Sequence, residues 1–214
     1  TALVPIQAAA EALHSPLYLY ARDFRVRGQG RGRFRYEGFD ARLSGLRTNL
    51  LGRHQHRNAA VALAAVELLS QQGLAIPETL IRRGLEQVRW PGRLELMASE
   101  PRLILDGAHN PAAAATLAQA LRHDLDYRRL ILVLGIMADK DIRGILRRLL
   151  PLADVVIFSR PSYDRAATPE RLQSLAEQLP PQSLVIDDLA AAIQKATSLA
   201  QEDDLVVVTG SLFT

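Results

Sequence analysis

Beyond residue 93 the sequence alternates between short apolar runs and longer stretches of helical period. The apolar runs fall at 94–98, 103–106, 130–134, 155–158, 184–186 and 205–209, and the helical patterns at 111–122, 141–150, 169–178 and 188–201. Runs of this length that do not alternate with polar residues read as strands buried on both faces. Strands interleaved with helices pair in parallel, because a parallel connection needs a crossover. The sequence therefore predicts an α/β region with a mainly parallel sheet covered on both sides.

The first 91 residues read differently. Leu3, Ile6, Ala9, Ala10 and Leu13 have helical spacing from the outset. A chain that opens at Thr1 directly into such a pattern, without Met, reads as an interior cut of a longer protein. A short strand is expected at 17–20, a β-hairpin from 24–27 and 33–37, and a further antiparallel stretch at 40–43. Connecting chain at 46–52 leads to a helix at 56–71, with Ala59, Ala60, Leu63, Ala64, Val66 and Leu68 on its apolar face and Gly73 as its C-cap. Pro77 opens a second helix at 78–87, with Leu80, Ile81 and Leu85 inward. The Trp90-Pro91-Gly92-Arg93 break sets the domain boundary, giving domains 1–91 and 92–214.

Composition narrows the chemistry. Hydrophobic residues make up 48% and aromatics 5% of 214 residues, so the core is built from Leu, Ala, Val and Ile. The absence of Cys excludes disulfides, thiolate metal sites and thiol nucleophiles, and fits a reducing cytoplasm. No run is long enough to cross a bilayer, and no signal peptide is present, so no membrane partner is expected. The net charge is only +3, yet Arg22, Arg25, Arg27, Arg31, Arg33 and Arg35 gather in one Gly-rich stretch with Phe24, Phe34 and Tyr36. A nucleic-acid surface would use such a patch. No nucleic-acid motif accompanies it, so the solvent face of a hairpin is the preferred reading, with no nucleic-acid partner.

The segment Leu105-Asp106-Gly107-Ala108-His109-Asn110-Pro111 carries the strongest chemical signal. It puts Asp106 and His109 at the carboxyl end of a parallel strand, where open α/β sheets form their ligand crevice. Capping alone accounts for Asn110 as N-cap and Pro111 at the first helical position. It does not account for an acid and an imidazole in one turn. Gly52 to Ala59 surrounds a helix N-terminus with polar groups, which suits an anion or nucleotide, although capping with Asn58 in solvent explains it equally. His54 and His56 lack a third ligand nearby, so no metal site is expected. Arg93 at the break is suited to a phosphate, or to an ion pair with Glu95. Lys140 follows a parallel strand and is placed to meet a carboxylate or phosphate, while Asp141 caps the next helix. Thr209-Gly210-Ser211-Leu212 ends the last strand on the same side and offers a hydroxyl and free amides. The chain contains no P-loop, no dinucleotide fingerprint and no nucleophile elbow.

In order along the chain, Gly52-x-His54-Gln55-x-x-Asn58-Ala59, Trp90-Pro91-Gly92-Arg93-Leu94-Glu95, Leu105 to Pro111, Asp139-Lys140-Asp141 and Thr209 to Leu212 resemble the bifunctional folylpolyglutamate synthase and dihydrofolate synthase family of the Mur ligase superfamily. The resemblance implies a Rossmann-like C-terminal ligase domain preceded by the β-hairpin and helical tail end of a central ATPase domain. It implies an ATP-dependent amide ligase that uses Mg²⁺ and joins L-glutamate to dihydropteroate or folate through an acyl phosphate. By motif position it makes Asn58 an adenine-side contact, Arg93 a phosphate contact and Asp106 a ribose contact. His109 and Ser211 become catalytic candidates, and Lys140 and Ser211 glutamate-binding candidates.

The family's phosphate loop, main Mg²⁺ ligands, activating lysine and much of its pterin site have no counterpart in these 214 residues. The chain alone is therefore expected to be inactive, and its parent a cytoplasmic monomer. Two alternatives stay open: a Mur-type ligase of cell-wall synthesis, and a non-catalytic nucleotide-binding module.

Overall fold

A computed structural model describes residues 2–30 and 32–211. The chain divides into two compact units, Thr1–Asn49 with His54–Val88, and Leu50–Arg53 with Arg89–Thr214.

In unit 1, strands β1 (Arg25–Gly30), β2 (Arg33–Glu37) and β3 (Arg42–Leu46) form an antiparallel sheet in that order, with helices α1 (Leu3–Ala12), α2 (His54–Gln71) and α3 (Glu78–Gln87). The expected hairpin is present. Phe24, Phe34, Tyr36 and Leu46 pack against Ala59, Ala60, Leu63 and Ala64, where the small alanine side chains let α2 lie close to the aromatics. Gly73 at φ 96° ends α2, with its amide donating to Ser70 and that of Leu74 to Leu69, a Schellman closure. Three arginines of the hairpin strands share one carboxylate. Arg25 and Arg35 lie 2.6 and 2.9 Å from the Glu37 carboxylate, and Arg27 lies 3.7 Å away. The hydrogen bond from Arg25 holds the Glu37 carboxyl below its ordinary range.

Several local expectations fail for identifiable reasons. Residues 17–20 form no strand, only a bridge from Tyr20 to Phe24. Asp23 takes the Leu19 amide at 2.6 Å and Arg22 takes the Leu17 carbonyl at 2.7 Å, which consumes the groups a ladder would need. The stretch expected at 40–43 begins instead at Arg42, because Glu67 accepts from the amides of Phe39, Asp40 and Ala41. Helix α2 begins at His54, two residues earlier than its apolar period indicates. Leu80 is 54% exposed, and only Ile81 and Leu85 of the expected face pack inward.

Unit 2 is a six-stranded sheet in the order β4-β5-β9-β6-β7-β8, from β4 (Glu95–Ser99), β5 (Arg102–Asp106), β6 (Leu130–Leu134), β7 (Val155–Arg160), β8 (Gln182–Asp188) and β9 (Leu205–Thr209). All neighbouring pairs are parallel except the β4 edge, which runs antiparallel to β5 because their connection is too short for a crossover. Helices α4 (Pro111–His123), α5 (Ile142–Leu149) and α6 (Pro169–Ser174) bury Leu117, Leu121, Ile145, Leu149 and Leu172 on one face. Helix α7 (Leu189–Leu199) covers the other face with Ala192 and Ala196, and its return inserts β9 between β5 and β6. Helix α6 stops four residues short of the expected 178. Strands β6 and β9 are buried along their whole length, as unalternating apolar runs require.

Candidate active site at the carboxyl edge of the sheet

The three central strands end together. Asp106 of β5 pairs in register with Thr209 of β9, and Thr209 pairs with Leu134 of β6. The loops that leave these tips carry His109, Ser211 and Lys140, so the parallel register gathers four of the expected site residues at one edge. Asn110 caps α4 by accepting from the Ala113 amide at 2.9 Å, and Asp141 caps α5 by accepting from Gly144 at 2.9 Å. Gly144 lets the two helix starts converge, since a Cβ there would lie 2.6 Å from Pro111 Cγ. Two helix N-termini therefore point their positive ends at this edge.

Around Asp106 the backbone is tightly stitched. Its Oδ2 accepts from the Leu94 amide at 3.0 Å and its Oδ1 from the Ala108 amide at 3.0 Å. The Gly107 amide donates to the Gly92 carbonyl at 2.7 Å. His109 Nδ1 lies 2.8 Å from the Gly107 carbonyl, which can only accept, so Nδ1 is the donor in this bond and Nε2 is the ring nitrogen left for a ligand. Leu94 is buried at φ 47°, a left-handed conformation that a bulky residue adopts only under constraint.

Arg93 is half-buried, and its guanidinium meets no ion-pair or hydrogen-bond partner among the described residues. The expected pair with Glu95 does not form, because Glu95 Oε2 accepts from the Gly92 amide at 2.8 Å. Lys140 Nζ sits 2.9 Å from Asp139, a bond that holds the Asp139 carboxyl below its ordinary range. Ser211 is buried just past β9, while Leu212 of the same motif lies outside the described residues. Gly210 is required where it stands. Its φ is 108°, and a Cβ would come within 2.6 Å of the Gly135 carbonyl oxygen.

Asn58 belongs to unit 1. It is exposed in the first turns of α2, donating to Gln55 Oε1 at 2.8 Å, and is not the helix's N-cap. Sequence reasoning named Thr209 within the strand-end motif but gave it no role of its own; its fully buried Oγ1 has no hydrogen-bond partner among the described residues. A hydroxyl closing an otherwise all-aliphatic strand was the available signal. No group of three or more His, Asp or Glu that could hold a metal occurs among the described residues.

Residues 92–212 match the family model described as Mur ligase, glutamate ligase domain. The chain belongs to the Mur ligase family. Among curated relatives of this Mur ligase, the probable bifunctional folylpolyglutamate synthase/dihydropteroate synthase of Halobacterium salinarum is 40% identical over 165 residues, covering 77% of this chain and 20% of that protein. The dihydrofolate synthase/folylpolyglutamate synthase of Mycobacterium tuberculosis is 37% identical over 195 residues, covering 83% and 40%. The chain thus spans less than half the length of these two relatives. The folylpolyglutamate synthase of Mycobacterium tuberculosis complexed with ADP superposes with a TM-score of 0.89 at 34% identity, over 97% of this chain and 49% of that one. A bifunctional folylpolyglutamate synthase/dihydrofolate synthase with Mn, AMPPNP and L-glutamate bound gives 0.83 at 29% identity, over 98% and 48%. The mainly parallel α/β sheet of unit 2 is the fold these relatives share.

Proposed function

We propose that this Mur ligase chain is the glutamate-ligase portion of an ATP-dependent enzyme that joins L-glutamate to dihydropteroate or to folate. Domain 1–91 is the tail end of its central ATPase domain, and 92–214 its ligase domain. The observation that carries the reading is the register of Asp106 with Thr209, which gathers His109, Ser211 and Lys140 at the carboxyl edge of a glutamate-ligase domain. The names of the relatives and the nucleotide and glutamate ligands of the solved neighbours support the substrate class.

In the proposed reaction ATP phosphorylates a folate carboxylate, the glutamate amine attacks the acyl phosphate, and inorganic phosphate leaves as the amide forms. Little covalent work falls to the protein, so positioning and charge neutralisation dominate. Arg93 supplies an uncommitted guanidinium for a phosphate. Nε2 of His109, with Nδ1 committed to the Gly107 carbonyl, accepts a proton from the attacking amine. Lys140 and Ser211 meet the carboxylates of glutamate. Asn58 serves the adenine, and Asp106 a ribose hydroxyl. Mg²⁺ would take its ligands outside these residues.

The test uses the purified chain. Titration with ADP and with L-glutamate, followed calorimetrically, is expected to give saturable heats that Arg93→Ala and Lys140→Ala respectively reduce. No amide product is expected from ATP, L-glutamate and dihydropteroate, because no P-loop is present. Turnover by these 214 residues overturns the inactivity. Absence of binding by either ligand overturns the site.

A further inference from the structure

We propose that Asp106 is a positioning residue that sets Arg93 and His109 relative to each other. The proposal deepens the site described above and rests on the reading that both residues belong to it. The two oxygens of one carboxylate hold backbone on either side: Oδ2 takes the amide of Leu94, next to Arg93, and Oδ1 takes that of Ala108, next to His109. The bond from Gly107 to the Gly92 carbonyl and the bond from His109 Nδ1 to the Gly107 carbonyl extend the same stitch. A single side chain thus ties the 92–94 turn, contributed by a segment before β4, to the 106–109 turn after β5.

Leu94 supplies an independent observation. A leucine at φ 47° costs free energy and persists only where its surroundings over-determine it. Here burial of its side chain and the bond from its amide to Asp106 do so. Released from that bond, Leu94 relaxes toward ordinary φ and swings the adjoining Arg93 out of place. A carboxylate is needed because both donors are N–H groups. Asparagine of the same size offers one acceptor oxygen and turns an amide donor toward the other N–H.

Asp106→Asn in the full chain, without any ligand, is the test, read by ¹⁵N and ¹³C NMR. Amide exchange at whichever of Leu94 and Ala108 faces the new amide NH₂ is expected to speed up about ten-fold or more, in line with loss of a bond to a charged acceptor. The Nε–Hε resonance of Arg93 and the ring resonances of His109 shift together, while the methyls of Ala192 and Ala196 on the opposite face of the sheet stay in place. Asp106→Ala, which removes both acceptors, repeats the comparison should the Asn variant not fold. Unchanged Arg93 and His109 resonances in the ligand-free folded variant overturn the proposal, even if ADP affinity falls, since that pattern means direct ligand contact only. Shifts that reach Ala192 and Ala196 overturn it as well, in favour of a general structural role. A parent chain whose spectrum ADP and L-glutamate leave unmoved refutes the proposed function, and the ligand-free comparison still decides the role of Asp106.

Discussion

Glu67 sits on α2, yet most of its contacts lie in the turn between β2 and β3. Its two oxygens accept from Tyr36 Oη and from the amides of Phe39, Asp40 and Ala41. Gly38 makes room for this approach, because a Cβ there would fall 1.7 Å from Glu67 Oε2. Glu67→Gln keeps one good acceptor and turns an amide donor toward N–H groups. We expect it to cost about 2 kcal/mol in denaturant unfolding of unit 1, the scale of losing a bond to a charged group. Gly38→Ala expels the same carboxylate and should cost a similar amount. The two changes remove one interaction, so the double variant should fall well short of the sum, and additive costs would refute the shared cause. Nothing in the sequence flags this glutamate: it reads as a charge on the outer face of a helix. Its partners lie 26–31 residues away in a turn whose geometry only the folded sheet creates. The caps were different. Asn110 and Asp141 were legible because a cap bonds to amides three residues on, within the reach of local pattern. Asn110→Ala is expected to lower the stability of unit 2 by about 1 kcal/mol, measured by thermal melting.

At the scale of elements, the parallel sheet was readable because burial on both faces leaves unbroken aliphatic runs such as Leu130 to Leu134, and few other structures require them. Its order was not, since insertion of β9 between β5 and β6 depends on which face α7 returns along. The candidate site inherits that split. Asp106, His109, Lys140 and Ser211 could be assigned to strand tips from sequence, but the adjacency of Asp106 to Thr209 needed the topology. Residues 17–20 failed as a strand because two charged side chains, Arg22 and Asp23, satisfy their backbone locally. Helix α1 is a further case of period without burial: its spacing is helical, yet it buries no residue, and Leu3, Val4 and Ile6 stay exposed. An isolated helix of ten residues is marginal in water, because nucleation costs more than so few bonds return. Hydrogen exchange in this chain should therefore be fast across α1 and slow across the cores of α2 and α4. Protection of α1 equal to that of α4 would mean that something covers its apolar side chains.

For the molecule as a whole, the charges that folding organises make stability fall at both extremes of pH. Asp204, fully buried at the amino end of β9, accepts from Arg129 and from the Gln201 amide at 2.9 Å, with Arg128 3.6 Å away. The Arg129 bond, foremost, holds its carboxyl below the ordinary range. A carboxyl whose folded value is depressed contributes its full stability above the unfolded value, about pH 4, and loses it as pH falls through the folded value. Glu37, held down by Arg25, and Asp23, held down by Arg22, act in the same window within unit 1. The alkaline side is set by burial. Tyr36 is fully buried, and desolvation, reinforced by its bond to Glu67, raises its phenol well above the ordinary value. Desolvation raises Tyr127 of unit 2 as well. A phenol raised on folding favours the folded state only while it stays protonated, so its contribution is lost as pH climbs past about 10, where the unfolded chain ionises. Melting temperature against pH should therefore be flat through neutrality and fall below about pH 4 and above about pH 10. Asp204→Asn should lower the plateau by about 2 kcal/mol and flatten the acid fall of unit 2. Tyr36→Phe should flatten the alkaline fall of unit 1 and leave its acid limb in place. An acid limb unchanged in Asp204→Asn would mean that the buried carboxyl of β9 does not set the acid stability of unit 2.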